Sequence, residues 1–248
     1  QYQPKYDMNK QVIVGAEALL RWNNAELGAV SPAEFIPIAE EIGFIVHIGN
    51  WVIEQVCQTM ANWKAYGTQL VPVAINISPI QFHSGDLQKK LLAELTNYRI
   101  SPDLIHIELT EGVVMSGEDK TVAQLQELKE LGVAISIDDF GTGYSSLSYL
   151  RKLPIDELKI DRSFIMELTE ESSLDDTCLT AVPLAVIDLA RNLNLKLVAE
   201  GVETDIQSNF LLENNCPIIQ GYWYSKPVSA SEIMSLLNAN SVQQEATE

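Results

Sequence analysis

A chain of 248 residues, of which 46% are hydrophobic and 20% charged, has the size and composition of one large globular domain with an ample core. Its 34 acidic residues outnumber 16 Lys and Arg residues, and the resulting formal net charge of −18 argues against binding a DNA or RNA backbone through a basic surface. A small phosphorylated substrate is not excluded, because bound metal ions reverse the local electric field.

Strand-like and helical segments alternate along the whole sequence. Apolar runs that end at polar residues predict strands over 12–17, 71–76, 104–108, 133–139, 157–161, 195–200 and 218–224. Apolar residues at helical spacing predict helices over 32–42, 47–66, 86–98, 120–131, 175–192, 206–214 and 230–237. We expect Ser31 to cap the first helix, with Pro32 at its first position and Glu34 in the capping-box position. Pro183 is expected to bend or divide the helix that contains it.

This alternation predicts an α/β fold with a parallel sheet, and at this length the natural form is a closed TIM barrel. We find no internal repeat, low-complexity linker or domain boundary, so residues 1–248 are expected to form a single domain. Because the sequence starts at Gln1 instead of Met, we expect this domain to be a part of a longer multidomain protein.

Oxygen-donating side chains end most of the predicted strands, and a barrel assembles its active site from those ends. They are Glu17, Asn76, Glu108, Asp138, Asp139 and Glu200. Such ligands suit Mg²⁺ or Mn²⁺, and six donors exceed what one Mg²⁺ usually takes from a protein. Two ions that share a carboxylate fit better, and paired ions about 3.5–4 Å apart serve in-line displacement at phosphorus. Lys159 lies two residues before the end of the predicted strand 157–161, points to the same end of the barrel and could orient or activate the attacking water.

Nine motifs in this order resemble the EAL-type cyclic di-GMP phosphodiesterases over essentially the full length of the chain. The motifs are Tyr2-Gln3-Pro4, Gly15-Ala16-Glu17-Ala18-Leu19-Leu20-Arg21-Trp22, Pro32 through Gly43, Asn76-Ile77-Ser78, Glu108-Leu109-Thr110-Glu111, Asp138-Asp139-Phe140-Gly141-Thr142-Gly143-Tyr144-Ser145-Ser146-Leu147, Leu158-Lys159-Ile160-Asp161, Ala199-Glu200-Gly201-Val202-Glu203-Thr204, and Gln220-Gly221-Tyr222 with Ser225-Lys226-Pro227. Each motif alone is weak, but together they are very specific.

The resemblance implies a modified TIM (β/α)8 barrel whose first strand runs antiparallel, and hydrolysis of cyclic di-GMP to linear pGpG. One metal ion would be surrounded by Glu17, Asn76, Glu108 and Asp138, and the second served by Asp138, Asp139 and Glu200. Lys159 would hold the nucleophilic water, and Asp161 would support that lysine. We expect Mg²⁺ or Mn²⁺ to be active and the larger Ca²⁺ to inhibit.

The resemblance also assigns residues around the substrate and at a dimer contact. Arg21 would hold a substrate phosphate, and Gln3, Glu203 and Gln220 would lie around the substrate. Glu111 would stabilise the loop 140–146, which contributes to dimer contacts in the family, so a homodimer is expected. Sensory or GGDEF-type domains are expected to flank this domain in the full-length protein.

Other interpretations of the same residues remain open. The domain could bind cyclic di-GMP as a receptor without turnover, or could be a lyase or racemase of the enolase type, in which a strand-end lysine abstracts a proton. Lys159 could form a structural ion pair with Asp161, Arg21 could pair with a carboxylate, and Glu111 could be a simple helix-start acid. The Asp139-Phe140-Gly141 triplet also occurs in protein kinases, but no GxGxxG loop precedes it, and we regard it as a coincidence.

The three cysteines lie far apart without CxxC spacing, which favours a reduced, cytosolic compartment without a disulfide or zinc framework. The sequence contains no apolar run of membrane-spanning length and no secretory signal. We therefore expect the domain in the cytoplasm, either free or as the cytosolic part of a membrane-anchored protein.

Overall fold

The computed structural model describes residues 1–115, 119–143, 147–169 and 177–245. Its strands are β1 (Tyr2–Asp7), β2 (Val12–Ala18), β3 (Trp22–Asn24), β4 (Gly28–Val30), β5 (Val73–Asn76), β6 (Ile105–Thr110), β7 (Ala134–Phe140), β8 (Glu157–Ile160), β9 (Lys196–Glu200) and β10 (Ile218–Gln220). Its α-helices are α1 (Pro32–Glu41), α2 (Ile45–Ala65), α3 (Pro79–His83), α4 (Leu87–Tyr98), α5 (Glu111–Val114), α6 (Asp119–Leu131), α7 (Leu147–Leu150), α8 (Arg162–Met166), α9 (Thr177–Leu193), α10 (Asp205–Glu213) and α11 (Ala230–Glu245).

Eight strands close into a barrel in the order β1-β10-β9-β8-β7-β6-β5-β2, while β3 and β4 form a separate hairpin. Neighbouring strands pair in parallel from β2 through β5 to β10, whereas β1 pairs antiparallel with both β2 and β10. The predicted α/β barrel and its antiparallel first strand are therefore confirmed.

The main apolar core lies where the helices cover the barrel. In α2 the buried residues recur every three or four positions, as Ile45, Gly49, Ile53, Val56, Cys57, Met60 and Trp63. That spacing puts them on one helical face, so burial of this stripe against the barrel holds α2 in place. Trp63 also donates a 2.9 Å hydrogen bond from its indole nitrogen to the carbonyl of Ala230, which ties α2 to the start of α11.

Several local predictions were wrong. Strand β1 was missing from the strand predictions, and the predicted strand over 218–224 ends at Gln220. Ser31 occupies the N-cap position of α1, but its side chain makes no capping hydrogen bond within the described residues. The reciprocal capping box forms instead at α10, between Thr204 and Gln207. Helix α9 continues through Pro183 to Leu193, so the alternative in which Pro183 divides the helix was wrong, and the bend stays a prediction.

Within the described part of the chain, we find no helix whose length and apolar character would let it span a membrane.

Candidate metal centre

Strand pairing sets the candidate site residues side by side at one end of the barrel. Glu17 of β2 pairs with Gln3 of β1, Asn76 of β5 pairs with Glu108 of β6, and Glu200 of β9 pairs with Gln220 of β10. The parallel strands all end at this edge, so their last side chains converge there.

Lys159 lies at the centre of four carboxylates. Its side chain is fully buried, and its Nζ lies 2.5 Å from Glu200 Oε1, 2.9 Å from Glu108 Oε2, 3.1 Å from Asp138 Oδ1 and 3.5 Å from Glu17 Oε2. Burial opposes its positive charge, but the surrounding carboxylates outweigh that effect and raise the pKa of Lys159 well above its ordinary value. The four carboxylates therefore favour the ammonium form of this lysine, which donates hydrogen bonds.

A bulge in β7 brings two neighbouring aspartates to the same side. Consecutive residues of a regular strand point to opposite faces, which would separate Asp138 from Asp139. Here the pairing of β7 with β8 shifts register between Ile137 and Phe140, and Asp139 has a φ of +52°. As a result, one carboxylate oxygen each of Asp138, Asp139 and Glu200 lie within 4.8 Å of one another.

The carboxylates repel one another strongly. Burial raises the pKa of Glu200, Lys159 opposes the rise, and the charges of Asp138 and Glu17 carry it to about 8. Burial and the charge of neighbouring Asp138 raise the pKa of Asp139 to about 6. Burial raises the pKa of Glu17 as well, and the charge of Glu108 adds to the rise. These raised pKa values indicate that the cluster contains too little positive charge to balance its carboxylates.

The donor set fits divalent metal ions. Only two described ammonium groups, those of Lys5 and Lys159, contact or adjoin a group of six carboxylates. The carboxylates are those of Glu17, Glu108, Asp138, Asp139, Glu157 and Glu200. Among the described residues, the fully buried Glu108 Oε2 has only the Lys159 ammonium, at 2.9 Å, as a partner. Hard oxygen ligands with an excess of negative charge are what Mg²⁺ and Mn²⁺ require.

Amide side chains border the cluster. Asn76 donates a 2.6 Å hydrogen bond from Nδ2 to Glu17 Oε1, and Gln220 donates a 2.5 Å hydrogen bond from Nε2 to Glu17 Oε2. Gln220 Nε2 also lies 3.2 Å from Gln3 Oε1, and Gln3 donates to the carbonyl of Ser225. Both oxygens of Glu17 are thus held by neighbours from other strands.

A second layer of charge lies deeper in the barrel. Lys5 Nζ lies 2.9 Å from Glu108 Oε1 and 3.0 Å from Glu157 Oε1, and Ser136 donates a 2.9 Å hydrogen bond to Glu157 Oε1. Burial alone would raise the pKa of Glu108, but Lys159 and Lys5 lower it to about 2. Glu108 therefore stays ionised between the two lysines.

A polar cleft of about 240 Å³ opens onto this cluster. It is lined by Gln3, Glu17, Leu19, Arg21, Asp138, Arg162, Glu200, Gly201, Glu203, Gln220, Gly221, Tyr222 and Pro227. Arg21 is exposed and donates to Gln1 Oε1, and Glu203 forms a 3.0 Å ion pair with Arg162. All four residues expected around the substrate thus line one cleft.

A larger groove of about 730 Å³ lies on the other side of Arg21. Apart from Arg21 and His47, the described residues that line it are apolar, and among them is no carboxylate. The groove therefore lacks metal ligands, whereas the smaller polar cleft is lined by Glu17, Asp138 and Glu200.

Glu111 and Asp161, two of the predicted site residues, lie beside the carboxylate cluster and accept hydrogen bonds from backbone nitrogens. Glu111 Oε2 accepts hydrogen bonds from the backbone nitrogens of Gly141 at 2.9 Å and Gly143 at 3.4 Å, so it holds the start of the loop that follows β7. Residues 144–146 of that loop lie outside the described residues. The Asp161 carboxylate accepts a 2.9 Å hydrogen bond from the backbone nitrogen of Ser163 and caps α8. Asp161 is not among the ion-pair partners of Lys159 in the described chain, so the structural ion pair between them does not form, and its support of that lysine remains a prediction.

Sequence reasoning missed Lys5 and Arg162. Arg162 directly follows the Leu158-Lys159-Ile160-Asp161 motif, and a cation next to strand-end polar residues was a usable signal. Lys5 had no such signal, because lysine is almost never fully buried and the sequence does not reveal its carboxylate partners.

Comparisons with known proteins agree with this geometry. Residues 1–227 match the EAL domain family. The chain is 42% identical over 234 residues to the bifunctional diguanylate cyclase/cyclic di-GMP phosphodiesterase MucR of Pseudomonas aeruginosa, and this match covers 94% of the chain and 33% of MucR. It is 38% identical over 238 residues to the cyclic di-GMP phosphodiesterase NbdA of the same organism, with 96% of the chain and 30% of NbdA covered. The chain thus spans about a third of the length of these curated relatives.

Among solved structures, the PaMucR phosphodiesterase in complex with c-di-GMP superposes with a TM-score of 0.87 at 40% sequence identity. The match covers 94% of this chain and 92% of that one.

Proposed function

The chain belongs to the EAL domain family, and from this premise we propose that it is a metal-dependent phosphodiesterase that hydrolyses cyclic di-GMP to linear pGpG. The observation that carries the proposal is the buried Lys159 ammonium among four carboxylates at the active-site end of the barrel. The similarity to named cyclic di-GMP phosphodiesterases supports the choice of substrate.

Two sets of ligands would hold two Mg²⁺ or Mn²⁺ ions. Glu17, Asn76, Glu108 and Asp138 would hold one ion, and Asp138, Asp139 and Glu200 would hold the other. Asp138 belongs to both sets, which agrees with its contact to Lys159 and its proximity to Asp139 and Glu200. Such ions neutralise a phosphodiester oxygen, lower the pKa of a water molecule and stabilise the departing oxygen.

The side chains of the protein orient the reaction. The Lys159 ammonium would donate a hydrogen bond to the attacking water and hold it in line with the phosphorus. The water oxygen forms the new bond to phosphorus while the bond from phosphorus to the 3′-oxygen breaks. The proton of the water would pass to a carboxylate of the cluster, the departing 3′-oxygen would take a proton from the solvent, and the carboxylate would return its proton to the solvent. No histidine base is required.

Substrate recognition would use the polar cleft. Arg21 would hold a substrate phosphate, and its exposed position in the lining of the cleft supports this role. Gln3, Glu203 and Gln220 would contact the remaining polar groups of cyclic di-GMP. Arg162 lines the same cleft and is a further candidate for phosphate binding.

The proposal also includes a homodimer, flanking domains and a place of action in the cell. A homodimer through the loop 140–146 is expected, with Glu111 holding the start of that loop through Gly141 and Gly143. Sensory or GGDEF-type flanking domains agree with the greater length of the curated relatives. The place of action is expected to be the cytoplasm, or the cytosolic side of a membrane-anchored protein.

Hydrolysis by the purified chain tests the proposal. Incubation with cyclic di-GMP and Mg²⁺ or Mn²⁺ should yield pGpG on chromatography, and reaction in ¹⁸O-water should place one ¹⁸O atom in its terminal phosphate. Chelator should stop the reaction, Ca²⁺ should inhibit it, and the Glu17→Gln variant should be inactive. Tight binding of cyclic di-GMP without any product would replace the proposal with a receptor function.

A further inference from the structure

Lys5 is a buried cation that the proposed chemistry does not use. It lies on β1, the antiparallel strand, and only 4% of its surface is exposed. The pairing of β1 with β2 shifts register directly after Lys5, and such a bulge re-aims a side chain. Its Nζ contacts Glu108 Oε1 at 2.9 Å and Glu157 Oε1 at 3.0 Å.

The two carboxylate oxygens of Glu108 contact different lysines. Oε1 accepts a hydrogen bond from Lys5, whereas Oε2 lies 2.9 Å from Lys159 Nζ on the side of the carboxylate cluster. By holding one oxygen of Glu108, Lys5 fixes the rotation of the carboxylate and thereby directs the other oxygen toward the cluster.

We propose that Lys5 is a positioning residue of the metal centre, which holds Oε1 of Glu108 so that Oε2 stays directed at the metal ions. This inference rests on the proposed function, since Glu108 has to be a metal ligand. Partners that orient a metal ligand are commonly worth about 10–100-fold in metal affinity.

The two carboxylates that Lys5 contacts depend on it unequally. Glu157 Oε1 also accepts a hydrogen bond from Ser136, so it keeps a donor when Lys5 is replaced. For Glu108 Oε1, Lys5 is the donor that the described structure provides. Without Lys5, the buried Glu108 carboxylate would turn toward Lys159 to satisfy both oxygens, and Oε2 would leave its place in the cluster.

Manganese binding tests this inference without relying on activity. Electron paramagnetic resonance of free Mn²⁺ gives the dissociation constants of the wild-type chain and of Lys5→Met, which removes the charge at similar volume. We expect the affinity of Lys5→Met to fall by about 10–100-fold. Lys89→Met, in which an exposed lysine of α4 is replaced in the same way, should bind Mn²⁺ like the wild type.

A double variant separates the effect of Lys5 on the position of Glu108 from its effect on the balance of buried charge. It also provides a test if Lys5→Met does not fold. Lys5→Met/Glu157→Gln removes one positive and one negative buried charge, so its unfolding free energy should recover toward the wild-type value. Its Mn²⁺ affinity should nevertheless stay low, because Glu108 Oε1 still lacks its donor.

The outcomes distinguish this inference from the proposed function. Wild-type Mn²⁺ affinity in Lys5→Met, or its return in the double variant, overturns the positioning role alone. A wild-type chain that binds no Mn²⁺ overturns the positioning role and the two-metal mechanism together.

Discussion

Lys159 combines complete burial with a full positive charge. A buried lysine ordinarily loses its proton, but carboxylates from several strands reverse that tendency here. To act as the general base of an enolase-type reaction, this lysine would have to give up its proton among four carboxylates. These carboxylate neighbours favour the proposed hydrolysis over the lyase or racemase interpretation.

Replacing Lys159 by Met should separate turnover from binding. The ammonium would stabilise the attacking water and the charge of the transition state, so we expect kcat to fall by about 10²–10³-fold. The dissociation constant for cyclic di-GMP should change only a few-fold, because Arg21 and the other cleft residues remain. Steady-state kinetics and equilibrium dialysis measure the two effects.

The matched control is Lys152→Met, which replaces an exposed lysine in the turn after α7. It should retain wild-type kcat and affinity. A Lys159→Met variant with more than a tenth of the wild-type kcat would contradict the role assigned to this lysine.

At the level of elements, the sequence predicted the parallel strands because each has an apolar run with a polar residue at its end. It did not predict β1, in which the polar residues Gln3, Lys5 and Asp7 are buried and Pro4 argues against a strand. The bulge at Asp138 and Asp139 could not be predicted from the sequence either, since it depends on the pairing of β7 with β8. The roles of the strand-end residues remain predictions, although the structure brings them together.

The segments that follow β9 and β10 pack so closely against each other that Gly221 has no room for a side chain. A Cβ at this position would lie 2.0 Å from the carbonyl oxygen of Val202, which itself accepts a hydrogen bond from the Trp223 nitrogen. We expect Gly221→Ala to lower the free energy of unfolding by about 1–3 kcal/mol, measured by urea denaturation. Activity should fall too, because Gln220 and Tyr222 flank this glycine in the cleft.

Gly112→Ala is the matched control. Gly112 lies in α5, and a Cβ there would meet no described atom within 4 Å. Alanine should leave stability unchanged or raise it by up to about 1 kcal/mol, because it is the better helix former. Equal stability of both variants would show that the contact with Val202 relaxes at no cost.

For the molecule as a whole, the uncompensated carboxylates predict that metal binding stabilises the fold. At a Mn²⁺ concentration of about 100 times the dissociation constant, binding contributes about 2.7 kcal/mol. For a domain of this size, that corresponds to a rise in Tm of roughly 5–10 °C. Thermal unfolding with Mn²⁺ and with chelator measures the difference.

Asp138→Asn should abolish most of this rise in Tm, because Asp138 is expected to serve both ions. Its Tm in chelator should stay near or above that of the wild type, since one repulsive charge is removed. A wild-type Tm that does not respond to Mn²⁺ would contradict the metal centre.

The antiparallel β1 also has a consequence for the order of events during synthesis. Tyr6 pairs with Ile219, so β1 must wait until the much later β10 has been synthesised before the barrel can close. Such distant pairing forms late, because closure of a long loop precedes any gain from the contact. Gln3, Glu17 and Gln220 join only at that moment, so a nascent or truncated chain that lacks β10 has an incomplete cleft beside the carboxylate cluster. On the proposed function, hydrolysis would begin only after β10 has been synthesised.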